Sequence, residues 1–533
     1  MTMRLKFLVS AVSVLLLAFV SCNQNQNLED SEISLNKVIE PVTDKLDLSG
    51  FSKVIYVVDN NNGGDGSKQN PFGKIQEAID ASEGNTAVLV AGGDSVTSIR
   101  LKNNIHLFGG YNPENWERNI EKFPSVIDAF GKSRIFIAAE NNVIDGFVIR
   151  NGRVRGNGAA VLCDGVSPRI SNNYLVRNRT LGPEPWNPEY WHETANDGGA
   201  VYCTNGASPV IENNVFTQNS TVNGRGAAIA ADGKCKPVIR NNVFFDNLAG
   251  MDDPMRSSDG GAVSVFDWCD AVIDGNLFIS NTAESKNDGG GVFIALWSSA
   301  AVTGNLFVDN HAGDDAGALF VGGQEHRYGG VPLDPIPPKD KFFVSIKDNK
   351  FIGNHHGGVN SGAMRFTMES RGEFVNNILA QNNGVYFQRS EVRVAGNIIL
   401  DNFLFIETKD GLEQGIIENN LIWADYDQQV EATVRNNNML EPVAGNGNYS
   451  KEPDFDADGM ELNSIASVFN RSLFTTTALT SQQLQVNELA NRAVNVEGKW
   501  TVIKSNTENS ITVWGNFMGK IKYIVAPTYT LIN

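Results

Sequence analysis

A short stem of small residues followed by an apolar one recurs along this chain as Gly198-Gly199-Ala200-Val201, Gly226-Ala227-Ala228-Ile229, Gly260-Gly261-Ala262-Val263, Gly289-Gly290-Gly291-Val292 and Ala316-Gly317-Ala318-Leu319. The starts lie 28, 34, 29 and 27 residues apart. A short period with variable insertions describes one supersecondary unit stacked on itself, so the chain is expected to be a solenoid.

A second landmark keeps step with the stem. It is an Asn-Asn or Gly-Asn pair, an apolar run and a closing Asn, as in Asn213-Asn214-Val215-Phe216 to Asn219 and Gly275-Asn276-Leu277-Phe278 to Asn281. It continues upstream to Asn172-Asn173 and downstream through Asn349, Asn377, Asn397 and Asn420, which gives about ten coils. Between the landmarks lie short runs such as Pro209-Val210-Ile211-Glu212, with β-branched or aromatic residues at alternate positions and Gly, Asn or Asp at the ends. That is the strand period. No long helical pattern separates the runs, so equivalent strands of successive coils must pair directly. The expected fold is all-β, a parallel β-helix with three short strands per coil. The repeated Asn belongs at an inward corner, where it tolerates a left-handed backbone and its amide can bond the Asn of the next coil.

The Gly-Gly-Ala-Val and Phe-x-x-Asn stems resemble the repeats of the chlamydial polymorphic outer membrane proteins, and the coil pattern resembles right-handed parallel β-helices of the pectate-lyase-like superfamily. The start of the repeat region is similar as well: Ile55-Tyr56-Val57-Val58-Asp59, a Gly/Asp turn, then Asn70-Pro71-Phe72-Gly73-Lys74-Ile75-Gln76-Glu77-Ala78-Ile79-Asp80. The resemblance implies a right-handed helix over residues 51–445 with a short capping helix near Pro71 to Glu83. It does not fix an activity, because that fold carries lyases, hydrolases, epimerases and adhesins.

The ends suggest a compartment. Arg4 and Lys6 precede an apolar run from Phe7 to Val20, then Ser21-Cys22 and the polar Asn23-Gln24-Asn25-Gln26-Asn27. This pattern reads as a bacterial lipoprotein signal over 1–21, with Cys22 as the lipidated residue of an outer-membrane protein exposed at the cell surface and 22–50 as a tether. Phe19 replaces the Leu usual three residues before such a Cys. The net charge of −18 and pI near 4.9 argue against nucleic acid and against simple electrostatic capture of acidic polysaccharide. From 446 to 533 the repeat is lost. There Lys499-Trp500-Thr501-Val502-Ile503-Lys504 and Ser510-Ile511-Thr512-Val513-Trp514 flank Asn506-Thr507-Glu508-Asn509 as a hairpin, in a segment expected to close the open end of the helix. The chain is expected to be monomeric.

Aligning the stems puts Cys163 beside Cys203 and Cys235 beside Cys269 on neighbouring coils. Strands about 4.8 Å apart lie within disulfide reach, so either two cross-coil disulfides or two stacks of reduced thiols satisfy the spacing.

The strand after the stem separates into two parities. Val201, Ile229, Val263, Val292, Leu319 and Met364 form an apolar core column; the other parity faces out with Tyr202, Phe293, Phe320, Arg365, Tyr386 and Phe405, and with Phe266 two residues further along its strand. An aromatic outer face suggests stacking on sugar rings, with Trp191 in the insertion before one stem as a wall, unless the long loops fold back and bury the rings. Beside it runs a charged column, Asp197, Arg225, Asp259, Asp288, Asp315 and Asn360. Asp259, Asp288 and Asp315 on consecutive coils, with Arg365 near, suit carboxylate catalysis by a polysaccharide lyase or glycosidase, or a Ca²⁺ site, while Asp before Gly-Gly is equally favourable turn chemistry. Asp314-Asp315 and His355-His356-Gly357-Gly358 resemble polygalacturonase motifs only in part. The expected function is binding, or binding and cleavage, of extended polysaccharide along the aromatic face; the alternative is a non-catalytic adhesin or structural envelope protein.

Overall fold

The computed structural model describes residues 46–526 except 60–62, 97, 183–195, 252–257, 324–336, 359–361, 407–412, 414, 429–431, 445, 454–459, 469–472, 480–482 and 518–521. Two compact units emerge, one reaching to Asp456 and one built on Ala457–Thr528.

The larger unit is a parallel β-helix. One coil runs Val201–Thr204, Val210–Glu212, Val215–Thr217, Ser220–Thr221, and the next begins at Ile229–Ala231. Stacking these segments gives four parallel sheets. Among the described residues, the first has 14 strands from Lys53–Val57 to Thr433–Arg435, and the second 13 from Gly93–Val96 to Asn438–Met439. The third has 7 strands from Arg153–Arg155 to His355–His356, and the fourth 12 from Ile99–Arg100 to Tyr426–Gln428. The expectation of three strands per coil is therefore corrected to four in the middle of the helix. The third-sheet strands are two or three residues long, such as Leu248–Ala249 and Thr282–Ala283, too short to display a period in sequence.

The inward column of the second sheet is Phe216, Phe244, Phe278, Phe307 and Phe351, all fully buried. Their rings stack at 4.6–5.0 Å with interplanar angles of 13° or less. In-register parallel pairing makes like residues superpose, so one good packing solution is reused coil after coil. The stem column behaves as expected: Val201 pairs with Ile229, Ile229 with Val263, Val263 with Val292 and Val292 with Leu319, all buried.

The Asn-Asn pair divides its labour between its two members. Asn172, Asn213 and Asn241 take the left-handed backbone, with φ 57°, 55° and 53°, and Gly275 and Gly304 replace them at 63° and 64°. The second member is buried and bonds along the helix axis. Asn242 Oδ1 accepts the Asn214 backbone N–H at 2.9 Å and its Nδ2–H at 3.0 Å, while Asn214 Nδ2 also donates to the Ile170 carbonyl at 2.9 Å. The closing Asn builds a second such ladder through Asn178, Asn219, Asn247, Asn281, Asn310, Asn354 and Asn382, which ends on Asp401. Buried amides thereby find partners that a chain without long-range loops could not otherwise supply.

A single helix among the described residues, Ile75–Asp80, buries Ile75, Ala78 and Ile79 in the main core. Leu46 and Leu48 pack near Phe108, so the chain is already in contact with the helix before residue 51.

The second unit is a closed six-stranded antiparallel barrel, in ring order Glu461–Val468, Phe474–Leu479, Ser510–Trp514, Lys499–Asn506, Ala493–Val496 and Lys522–Val525. The expected hairpin is present, with Lys499–Asn506 pairing antiparallel to Ser510–Trp514. Leu462, Val494, Val496, Ile503, Ile511, Val513 and Val525 form a core of its own, into which Tyr523 places a hydroxyl bonded to Thr477 at 2.7 Å.

Candidate functional site

The outer face of the fourth sheet is shaped by the stems. Gly198, Gly226, Gly260 and Gly289 have φ of 64°, 61°, 79° and 67°, and a Cβ on each would lie 3.0–3.1 Å from the Cβ of Tyr202, Ala230, Ser264 and Phe293 respectively. The stem backbone thus lies directly over the outward residue of its own strand, and only glycine allows that approach without strain.

This close approach overturns the expectation of an exposed aromatic groove over the first coils. Tyr202 is 6% exposed, Phe266 5%, Phe293 3% and Phe320 1%. Arg225 lays its guanidinium 4.7 Å from the Phe266 ring centre, Leu162 and Leu296 pack on Tyr202 and Phe266, and Met368 packs on Phe293 and Phe320, whose rings stack at 5.1 Å. The Tyr202 hydroxyl donates to Asp232 Oδ2 at 2.9 Å; burial raises the pKa of both groups, for Tyr202 well beyond the usual phenol range. These rings form a second small core outside the sheet.

The acidic column is a ladder. Asp197 Oδ1 accepts the Arg225 N–H at 2.6 Å, Asp259 Oδ1 the Asp288 N–H at 2.9 Å, and Asp288 Oδ1 the Asp315 N–H at 2.9 Å. Asp259 Oδ2 faces Arg225 Nε at 3.7 Å, and Asp315 Oδ2 pairs with Arg365. Asp before Gly-Gly therefore holds the next coil's amide, a role that turn chemistry foreshadows and that carboxylate pairing for catalysis does not require. Among the described residues no three His, Cys, Asp or Glu side chains are grouped so as to hold a metal ion.

Toward the C-terminal coils the face opens. In-register pairing brings Phe320, Arg365, Tyr386, Leu404 and Asp427 into one row. Arg365 is fixed by Asp315 on one side and Gln388 Oε1 on the other. Tyr386 and Gln388 are half-buried and Asp427 is exposed. Burial lowers the Arg365 pKa and raises that of Tyr386, whose hydroxyl also feels Arg365 and Asp427. The register corrects one expected position: Phe405 pairs with Phe387, an inward residue, and Leu404 stands beside Tyr386. Gln388 and Asp427 complete the site without having been singled out in the sequence. Asp427 belongs to Tyr426–Gln428, a strand with no stem before it, so nothing in the repeat points to it.

Trp191 and Cys22 lie outside the described residues. Cys163 and Cys203 pair in register, and Cys269 Sγ accepts the Cys235 N–H at 3.1 Å. All four are free, buried thiols. Cys269 in turn donates its N–H to Ser298 Oγ at 3.1 Å, so the sulfur of one coil takes the place a hydroxyl takes in the next. The hydrogen bond to the neighbouring cysteine, together with burial, raises the pKa of Cys203 and of Cys269.

Residues 124–315 match the family described as the right handed beta helix region, and the larger unit, which contains them, is a right-handed parallel β-helix. Among solved structures, the chain is similar to XylC in complex with xylose, at 9% identity over 89% of this chain and 100% of that one with a TM-score of 0.36. It is similar to a rhamnogalacturonan lyase at 12% identity over 76% and 90%, TM-score 0.32. A third is the A-module of a mannuronan C-5 epimerase of Azotobacter vinelandii, at 13% identity over 71% and 95%, TM-score 0.32. No curated protein matches the sequence.

Proposed function

We propose that this protein binds an extended glycan on the open, C-terminal part of the fourth sheet's outer face, and that it does so at a bacterial surface, anchored through Cys22. The observation that carries the reading is the Arg365 guanidinium held between Asp315 and Gln388 and next in register to the half-buried Tyr386. A fixed planar donor beside an aromatic ring, with an exposed carboxylate at Asp427 two strands further on, supplies both ring stacking and directed hydrogen bonds for hydroxyl groups. Because Arg365 is already neutralised and the chain is strongly acidic, a neutral glycan fits better than a polyanion.

Binding without turnover is favoured over cleavage. Asp259 and Asp288 each commit Oδ1 to a backbone amide, and a general acid or nucleophile must be free to face the scissile bond. A screen of the purified protein against plant, algal and host glycans, following unsaturated product and reducing ends with and without Ca²⁺, tests this. Saturable binding with no product is expected; turnover lost in Asp288→Ala and Asp315→Ala would replace it with the enzymatic reading. Fatty-acid labelling lost in Cys22→Ala supports the anchor, and equal labelling of both forms refutes it.

A further inference from the structure

Three of the six histidines of the chain, His311, His355 and His356, fall on the last two strands of the third sheet. His311 pairs in register with His355, and their rings lie 5.0 Å apart, tilted by 36°. His355 is exposed and His311 half-buried. His355 Nδ1 sits 3.1 Å from the Gly353 carbonyl, an arrangement that places the proton on Nδ1 and leaves the Nε2 lone pair free. That is the outer-shell bond by which metal-ligating histidines are commonly oriented. His311 Nδ1 is buried with no hydrogen-bond partner, and the half-buried His311 ring lies beside that of His355.

We infer that His311 and His355 form a two-histidine site for a borderline divalent transition metal such as Cu²⁺, Ni²⁺ or Zn²⁺, with water completing the coordination. Imidazole nitrogen suits these ions and does not suit Ca²⁺ or Mg²⁺. Two parallel strands hold the rings side by side before any ion arrives, so little ordering is required on binding. His356 is not a ligand here. It pairs with Ala312, which is buried, and alternation places it on the opposite side of the strand from His355.

The test is titration of the purified, untagged protein with Cu²⁺, followed by calorimetry and by electron paramagnetic resonance. One equivalent with nitrogen hyperfine coupling is expected. His311→Ala and His355→Gln should each weaken it at least tenfold while leaving the far-ultraviolet dichroism unchanged. His356→Ala, His192→Ala and His326→Ala should leave it within twofold. Absence of stoichiometric binding, or wild-type affinity in the His311→Ala/His355→Gln double variant, overturns the site.

Discussion

Ala316 occupies the stem position that Gly198, Gly226, Gly260 and Gly289 fill elsewhere, and it does so at φ 59°. A side chain in the left-handed region costs about 1–2 kcal/mol. Ala316→Gly relieves that cost but removes a methyl buried with Phe293 and Phe320 and gives the unfolded chain more freedom, so stability should change by less than about 1 kcal/mol, which a denaturation midpoint measures. Asp401 is a second local exception, a carboxylate where the ladder otherwise has Asn. Its Oδ1 accepts the Asn382 N–H at 3.0 Å and its Oδ2 the Asn382 Nδ2–H at 2.6 Å. Burial pushes its pKa up from 3.8 to about 6 despite these bonds. The folded state thus holds the proton more tightly than the unfolded chain. The contribution of Asp401 to stability is therefore greatest below pH 4, falls as pH rises toward about 6 and levels off above that. The loss is of order 3 kcal/mol, from a shift of about two pH units at about 1.4 kcal/mol each. Asp401→Asn should abolish this decline and stabilise the protein at pH 8 by about 2–3 kcal/mol; an unchanged pH profile in that variant would remove the assignment.

At the scale of elements, the ladders are what join coil to coil at the corners. Asn276 accepts twice from Asn242 and donates to the Ile239 carbonyl and to Asn305. Asn276→Ala strands several buried polar groups and should cost about 3–5 kcal/mol. Asn448→Ala, at the part-exposed end of the same ladder, should cost about 1 kcal/mol because water can replace it. Equal losses at the two sites in urea denaturation would contradict the ladder as a source of stability. Both ladders were legible in sequence, because the positions of Asn214 and Asn219 recur through the middle coils at a constant offset from the strand between them. The third sheet was not, since its strands are too short to alternate. Nor was the burial of Tyr202, Phe266, Phe293 and Phe320. Alternation shows which side of a strand a residue takes, but here backbone from the adjoining stem lies over that side, and a stem's glycines reveal their φ only once the turn is built.

At the scale of the whole molecule, a stack of in-register coils turns one side chain per coil into a row, and the composition of a row changes along its length. The fourth sheet's row is buried and aromatic near Tyr202, then half-buried at Arg365 and Tyr386 and exposed at Asp427. Arg365 and Tyr386 were readable as outward residues from the stem at Gly362-Ala363-Met364 and the parity that follows it. Their isolation as the open part of the row was not, because that depends on what covers the earlier coils. The most direct measurement of the binding account is the affinity of the protein for a neutral glycan recovered from the screen, compared across three variants. Tyr386→Ala and Arg365→Ala should each weaken binding at least tenfold, whereas Tyr202→Phe, altered in the buried stretch, should bind as the wild type does. Undiminished binding by Tyr386→Ala and Arg365→Ala, with loss in Tyr202→Phe, would contradict the account and move the site to the other end of the row.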